Sequence, residues 1–257
     1  MAFVVGIVNQ KGGVGKTTTV VNLAGALAHL GKKVLVVDLD PQANATSGIG
    51  IEHRELEQGI YEALLGEKTL SEVVIASPSA NLFAAPATSD LAGANVELIS
   101  LPEREYRLKT ALNSIRDDYD FIFIDSPPSL GLLTVNGLVA ADTLLVPVQA
   151  EFYALEGLTH LIETVELVRE HLKPDLDIMG AVVTMYDGRN NLASDVFQEL
   201  KKFFPGSVFD TVIPRSVRLA EAPSHGKTIF EHDPYSKGAA AYEILAQEFL
   251  KKMGVGA

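Results

Sequence analysis

The sequence predicts an α/β fold: a doubly wound, mostly parallel sheet with helices on both faces. Three observations carry that prediction. Short, unbroken Val- and Ile-rich runs recur along the chain, helical patterns separate them, and a glycine-rich loop joins the first run to the first helix. Continuous apolar runs of this length are the mark of strands covered on both faces. Alternation of strand with helix then gives right-handed crossovers and a parallel sheet. The chain has 257 residues, 47% of them hydrophobic, enough for the core of one large α/β domain spanning 1–257. No internal repeat, low-complexity linker or boundary divides it.

Taken in order, Phe3–Val8 reads as a buried strand, Thr17–Leu30 as a helix and Val34–Val37 as the next strand. Asn81–Ala85, Phe121–Ile124, Thr143–Val148, Ile178–Val183 and Val208–Ile213 are the later strands. Helical patterns cover Leu91–Ile99, Glu105–Ile115, Leu132–Ala140, Leu155–His171, Leu192–Phe203 and Gly238–Lys252. In sheets of this kind ligands bind beyond the carboxyl ends of the strands.

Composition narrows the function classes. The absence of Cys excludes disulfides and any Cys-ligated metal, in keeping with a cytoplasmic protein. The first residues carry neither a basic leader nor a small-residue cleavage site, so no signal peptide is expected. No apolar run reaches the ~18 residues of a membrane span. The net charge of −12 repels nucleic acid on average. A local basic patch still acts within a Debye length of ~8 Å. Residues 189–227 hold six Lys/Arg against four Asp/Glu, so this stretch is +2 while the remainder is −14. Ordinary surface scatter accounts for such a stretch as well as a binding face does.

The strongest motif is Lys11-Gly12-Gly13-Val14-Gly15-Lys16-Thr17-Thr18, placed between the first strand and the first helix. Glycines there let backbone N–H groups converge on phosphate oxygens without a Cβ in the way. The helix N-terminus adds positive partial charge. Lys16 is placed to reach β- and γ-phosphates, and the Thr17 hydroxyl to ligate Mg²⁺. The match to G-x-x-x-x-G-K-[ST] is imperfect, because the first Gly falls on Gln10 and an extra lysine, Lys11, stands next to it.

Two carboxylate sites accompany the loop. Val34–Val37 leads into Asp38-Leu39-Asp40-Pro41, a pair of aspartates suited to Mg²⁺ or water handling, or to capping a turn before Pro41. Phe121-Ile122-Phe123-Ile124-Asp125 is an apolar strand ending in Asp, the form that holds a Mg²⁺-bound water. Ser126-Pro127-Pro128-Ser129 follows, stiffened by two prolines. It reads equally as a rigid loop or as a switch reporting the γ-phosphate.

The Lys-Gly-Gly-x-Gly-Lys-Thr form resembles the deviant phosphate loop of the ParA/MinD ATPases. Four further segments resemble Soj-type ParA proteins: Asp38–Gly50, Asp125–Asn136, Pro147–Gly157 and Val212–Lys227. The resemblance covers nearly the whole chain, with residues 52–80 matching loosely. It implies an ATPase of chromosome or plasmid partitioning that uses ATP and Mg²⁺ and turns over slowly unless stimulated. It assigns Lys11 to the partner's nucleotide across an ATP-dependent homodimer, where a second cation stabilises charge in the transition state. It places Gly12 at the dimer seam and gives Asp40 the attacking water, with Asp38 structural or switch-linked. It further implies non-specific binding to double-stranded DNA on the nucleoid and a ParB-type partner that stimulates hydrolysis.

Base and DNA contacts are the least legible. In related ATPases the adenine lies against the corner formed here by Val212-Ile213-Pro214-Arg215 and Met185, so Pro214 and Arg215 are the expected nucleotide contacts. Arg189, Arg218 and Lys227 lead the candidates for DNA, with Lys201 and Lys202 behind them. The resemblance singles out Arg189 and Arg218. The main alternative is a MinD-like membrane switch, which needs a basic amphipathic C-terminal helix. Here Lys251 and Lys252 are offset by Glu243 and Glu248, so the tail reads as a helix packed on the domain, with no membrane contact expected. A dethiobiotin synthetase-like ligase needs a small-molecule constellation that the sequence does not supply. A nitrogenase iron-protein reading needs cysteines for its cluster, and there are none.

Overall fold

The computed structural model describes residues 1–151, 154–204 and 207–255, so the Pro147–Gly157 segment lies partly outside the described residues, at Phe152 and Tyr153. Eight strands form one sheet: β1 (Phe3–Ile7), β2 (Val34–Asp38), β3 (Ile75–Ala76), β4 (Leu82–Ala85), β5 (Phe121–Asp125), β6 (Thr143–Gln149), β7 (Asp177–Tyr186) and β8 (Ser207–Pro214). Their order is β3-β4-β2-β5-β1-β6-β7-β8. The described pairings are parallel except β3 with β4, which is antiparallel.

The helices in chain order are α1 (Lys16–His29), α2 (Asn44–Gly48), α3 (Ile60–Leu65), α4 (Leu70–Val73), α5 (Ala94–Glu97), α6 (Arg107–Leu112), α7 (Leu132–Ala140), α8 (Ala154–His171), α9 (Asn191–Phe203), α10 (Val217–Glu221), α11 (Ile229–His232) and α12 (Lys237–Lys252). The period-2 alternation of strand side chains sorts the core onto two faces. Val5, Ile7, Val34, Val36, Phe121 and Phe123 face α1 and α12. Val4, Leu35, Val37, Ile122 and Ile124 face α3 to α7 on the opposite side. Leu144, Val146, Ala181 and Val183 pack against α8 and α9 in a third cluster. Phe249 of α12 is fully buried, its ring 5.4 Å from Phe121 and 5.7 Å from Phe123. Truncating such a ring to Ala costs about 3–5 kcal/mol.

The register places the chemistry. Ile7 of β1 lies opposite Asp125, and Asp38 of β2 lies opposite Asp125 from the other side. The carboxyl ends of three adjacent strands therefore carry the start of the glycine loop and two aspartates.

Two expected helices differ. Leu91–Ile99 is not one helix: a 3-10 turn over Ser89–Ala92, the short α5 and a second 3-10 turn over Leu98–Ser100 replace it. Leu91, Ala94 and Leu98 still share the buried face, so the apolar spacing reported burial while the backbone alternates between 3-10 and α turns. The expected Glu105–Ile115 helix shortens to α6, preceded by Glu103 at φ 50°. The short helices α2, α3, α4, α10 and α11 were not foreseen, since each is too brief to show a helical period.

Candidate nucleotide site

The loop is held from both ends. Beyond β1, the Asn9 side-chain amide donates to the Pro147 carbonyl at 2.8 Å, and its oxygen accepts from the Lys11 N–H at 3.0 Å. Gln10 donates to the His160 carbonyl at 3.1 Å and to Thr164 Oγ1 at 3.0 Å, both on α8. Further along, the Thr184 hydroxyl at the end of β7 donates to the Val14 carbonyl at 2.7 Å. Gly13 and Gly15 have φ of 74° and 91°, which L side chains rarely adopt. Gly15 caps α1, and that helix has neither a side-chain cap nor an acidic residue in its first turn. Its leading N–H groups are thus left for an external acceptor, as an anion site requires.

Lys16, Thr17 and Asp125 converge at this point. Lys16 is only 7% exposed. Burial lowers its pKa, opposed by the carboxylates of Asp125 and Asp40. The Thr17 hydroxyl donates to Asp125 Oδ2 at 2.7 Å. Asp125 Oδ1 and the Ser126 hydroxyl are buried without a hydrogen-bond partner. Burial, with Asp38 alongside, pushes the Asp125 carboxyl well above the usual carboxylate range, while Thr17 and Lys16 pull the other way. A buried carboxylate oxygen lacking a partner beside a Thr hydroxyl is a donor set fitted to a hard cation. Thr17 and Asp125 are the residues that would hold Mg²⁺, through its waters where the reach is longer.

Asp38 is clamped differently. Its Oδ2 accepts from the Thr46 N–H at 2.8 Å and the Thr46 hydroxyl at 2.7 Å, and its Oδ1 from the Asp40 N–H at 3.1 Å. Burial raises it to about 6 against those bonds. The Thr46 hydroxyl also accepts from the Ala87 N–H at 3.0 Å, so Asp38 ties β2 to α2 and to the end of β4. Asp40 is half-buried, its carboxylate accepts only from the Gln42 N–H at 3.0 Å among its described bonds, and it lies close enough to act on Lys16. It is the freer of the two carboxylates.

Lys11 stands apart from this cluster. Its ammonium pairs with Glu151 Oε2 at 3.1 Å, with the side chains 37% and 47% exposed. Glu151 also accepts from Gln149. A Cβ on Gly12 would meet nothing within 4 Å, so any demand for glycine there comes from outside this chain.

A cleft of about 330 Å³ opens beside the loop, lined among others by Gly15, Thr18, Met185, Pro214, Arg215 and Tyr242. Met185 has φ 51°, a left-handed conformation uncommon for a non-glycine residue and worth attention at a ligand site. The Arg215 N–H donates to the Tyr186 carbonyl at 3.1 Å, fixing the corner. Pro214, Arg215 and Met185 are therefore brought together with Thr18, as a base pocket requires. A larger open groove of about 1080 Å³ runs between β8 and α12, but neither the loop nor Asp38, Asp40 or Asp125 lines it.

The basic candidates are exposed, and four of them are paired locally. Arg189 binds Asp187 at 2.7 Å, and Arg218 binds Glu221 at 3.0 Å and Asp233 at 3.5 Å. Lys201 pairs with Asp210 at 2.6 Å and Lys202 with Glu199 at 2.9 Å. Lys227 is exposed in a polar cleft with His53, Arg54 and His225. His225 stacks on His232, which is 3.8 Å from Glu221. Arg218 and Lys227 thus share one surface through these side chains, with Arg54 and His53 added to it. Sequence reasoning missed Glu151, Thr46 and Thr184. Their partners are 140, 8 and 170 residues away; Thr46 lies with Asp38 inside the Asp38–Gly50 segment, while no single motif spans the other two pairs.

Comparison with known proteins agrees with this geometry. A family model described as an AAA domain matches residues 2–178. The chain is 54% identical over 248 residues to the sporulation initiation inhibitor protein Soj of Bacillus subtilis, covering 96% of this chain and 98% of that one. It is 49% identical over 246 residues to the chromosome partitioning protein ParA of Myxococcus xanthus, covering 96% and 87%. Among solved structures, cobyrinic acid a,c-diamide synthase of Mycobacterium smegmatis with bound ATP analog and magnesium superimposes with a TM-score of 0.88 at 36% identity, covering 100% of this chain and 98% of that one.

Proposed function

The chain belongs to the Soj/ParA family of chromosome-partitioning ATPases, and on that premise we propose that it is a Mg-ATP-driven switch between a monomer and a DNA-binding dimer. It is an ATPase with ATP and Mg²⁺ as its ligands. The observation that carries the dimer reading is the position of Lys11. Its ammonium pairs with Glu151 at the surface rather than joining Thr17 and the buried Lys16 and Asp125. A cation so placed serves a second nucleotide better than its own.

In this reading the loop N–H groups and Lys16 hold the β- and γ-phosphates. Thr17 and Asp125 hold Mg²⁺, which neutralises phosphate charge when bound. Asp40, the freer carboxylate, orients the attacking water. Lys11 leaves Glu151 to meet the partner's nucleotide, where it stabilises negative charge growing on the leaving phosphate. Pro214, Arg215 and Met185 border the base.

DNA binding follows from doubling the cations presented to one duplex. Arg189, Arg218 and Lys227 would contact phosphates without reading sequence. A ParB-type partner would stimulate hydrolysis, drawn by the −12 charge through its on-rate. A membrane role has less support. Among the described residues no helix is long and apolar enough to cross a bilayer. Helix α12 spends Tyr242, Leu245, Phe249 and Leu250 on the core rather than on lipid. A synthase reading rests on the solved neighbour at 36% identity, whereas the partitioning relatives reach 54% and 49%.

The test is Asp40→Ala, sized by mass photometry with ATP. It should bind ATP, fail to hydrolyse it and accumulate as a dimer. An Asp40→Ala protein that remains monomeric with ATP overturns the assignment.

A further inference from the structure

The loop that carries Asp40 is closed at its base by a single side chain, Thr46. Strand β2 delivers Asp38, the chain returns through α2 to Thr46, and both residues are fully buried. The return passes through Ala43 at φ 53°, a left-handed conformation uncommon for a non-glycine residue. Thr46 then gives Asp38 Oδ2 two bonds, from its N–H at 2.8 Å and from its hydroxyl at 2.7 Å. A hydroxyl has one proton, and this bond uses it. Its oxygen accepts from the Ala87 N–H at 3.0 Å, just beyond β4, the strand paired with β2. One hydroxyl therefore fixes the end of β2, helix α2 and the chain leaving β4 to one another.

What the clamp holds is the backbone of Asp40. Asp38 Oδ1 accepts from the Asp40 N–H at 3.1 Å. The Asp40 carbonyl accepts from the Ala43 N–H at 2.9 Å, and its Oδ1 from the Gln42 N–H at 3.0 Å. All of these bonds lie within the 38–46 loop, so the loop sets the direction of the Asp40 carboxylate and Asp38 anchors the loop. Without the Thr46 hydroxyl, Asp38 Oδ2 keeps one bond of two and the Ala87 N–H loses its acceptor. Thr46 has no exposed surface from which water could replace them. Displacing a group that aligns a nucleophile by ~1 Å can slow a reaction about 100-fold. ATP binding lacks this dependence, because the bonds that pin the phosphate loop come from Asn9 and Thr184.

We propose that Thr46 is a positioning residue for hydrolysis: its hydroxyl locks the Asp38 carboxylate, which in turn holds Asp40 where it can align the attacking water. The proposal rests on the reading above that Asp40 orients that water. Thr46 acts only through Asp38. Its hydroxyl governs the rate of the chemical step, while its methyl group fills the core.

Thr46→Val, Thr46→Ser and Asp38→Asn test it in the full chain, beside Asp40→Ala. Valine keeps the shape and removes the hydroxyl, whereas serine keeps the hydroxyl. Asparagine offers one acceptor oxygen where the carboxylate has two, so it gives up either the Thr46 bonds or the Asp40 N–H. It poses the same question should Thr46→Val not fold. The readout is the single-turnover rate constant for γ-labelled Mg-ATP with protein in excess, since an unfolded fraction lowers the amplitude and not the rate constant. Titration calorimetry gives the ATP Kd and mass photometry the dimer. Thr46→Val and Asp38→Asn should slow the rate constant about tenfold or more. Their ATP Kd and ATP-driven dimerisation should match the parent, and Thr46→Ser should restore the rate. A parent-like rate constant in Thr46→Val or Asp38→Asn, with Asp40→Ala slow, overturns the clamp and leaves the Asp40 reading intact. Thr46→Ser as slow as Thr46→Val makes the methyl group the cause and also overturns it, as does a weakened ATP Kd that accounts for the loss. Parent-like hydrolysis in Asp40→Ala overturns the Asp40 reading, and the positioning role with it.

Discussion

Glu151→Gln isolates the role given to Lys11. In the structure the Lys11 ammonium pairs with Glu151 at 3.1 Å, both side chains being more than a third exposed. Exposed pairs of this kind contribute roughly 0.5 kcal/mol, and seldom above ~1. If Lys11 must leave Glu151 to reach across a dimer, each dimer breaks two such pairs. Removing the carboxylate then favours the dimer by about 1 kcal/mol, a fall in dimer Kd of about fivefold. Glutamine keeps an oxygen to accept from Gln149, so the local strand end is preserved. The assay is sedimentation equilibrium with ATP in an Asp40→Ala background, where hydrolysis does not drain the dimer. The gain should shrink as salt rises, because the pair is screened. A dimer that is unchanged or weaker in Glu151→Gln refutes the exchange and leaves Lys11 as a surface cation bound to its own chain.

Two further outcomes are expected. Lys16→Ala should weaken ATP binding by about 3 kcal/mol or more, roughly 100-fold, because it removes a buried charge facing the phosphates; titration calorimetry reads this directly, and ATP affinity within a few-fold of the parent would contradict the site. Arg189→Ala and Arg218→Ala should each lower DNA affinity across unrelated duplexes and reduce the slope of log K against log salt by about 1, without altering ATP-driven dimerisation. The carboxylates that hold these arginines at rest, Asp187 for one and Glu221 with Asp233 for the other, are exposed enough to be displaced at small cost. Equal affinity in the double variant at two salt concentrations would remove these residues from the interface.

The central strands β1, β2 and β5 were legible because each is a continuous apolar run buried on both faces, whereas β3, two residues long and partly exposed, was not. The phosphate loop was legible because its conformation demands residue types: Gly13 and Gly15 sit at positive φ, and Gly15 opens α1. The Leu91–Ile99 helix misled for an instructive reason. Spacing encodes which side chains are buried, and Leu91, Ala94 and Leu98 are, but it does not encode whether the backbone between them keeps one hydrogen-bond pattern. The contacts that pin the site were illegible. Thr184 holds the Val14 carbonyl and Glu151 holds Lys11 across most of the chain, and only the sheet order brings them together. The basic stretch 189–227 was legible as a charge count, yet four of its six cations are paired to carboxylates inside and outside that window, Asp187 and Asp233 among the latter.

The central claim is that ATP, not ADP, joins two copies into the form that binds DNA. The most direct measurement is the mass of the protein in solution with Mg-ADP, with Mg-ATP, and with Mg-ATP plus a duplex of arbitrary sequence. A monomer with ADP, a dimer with ATP and a dimer on DNA only with ATP is the predicted result. A monomer under all three conditions, or equal DNA binding with ADP and ATP, would contradict it.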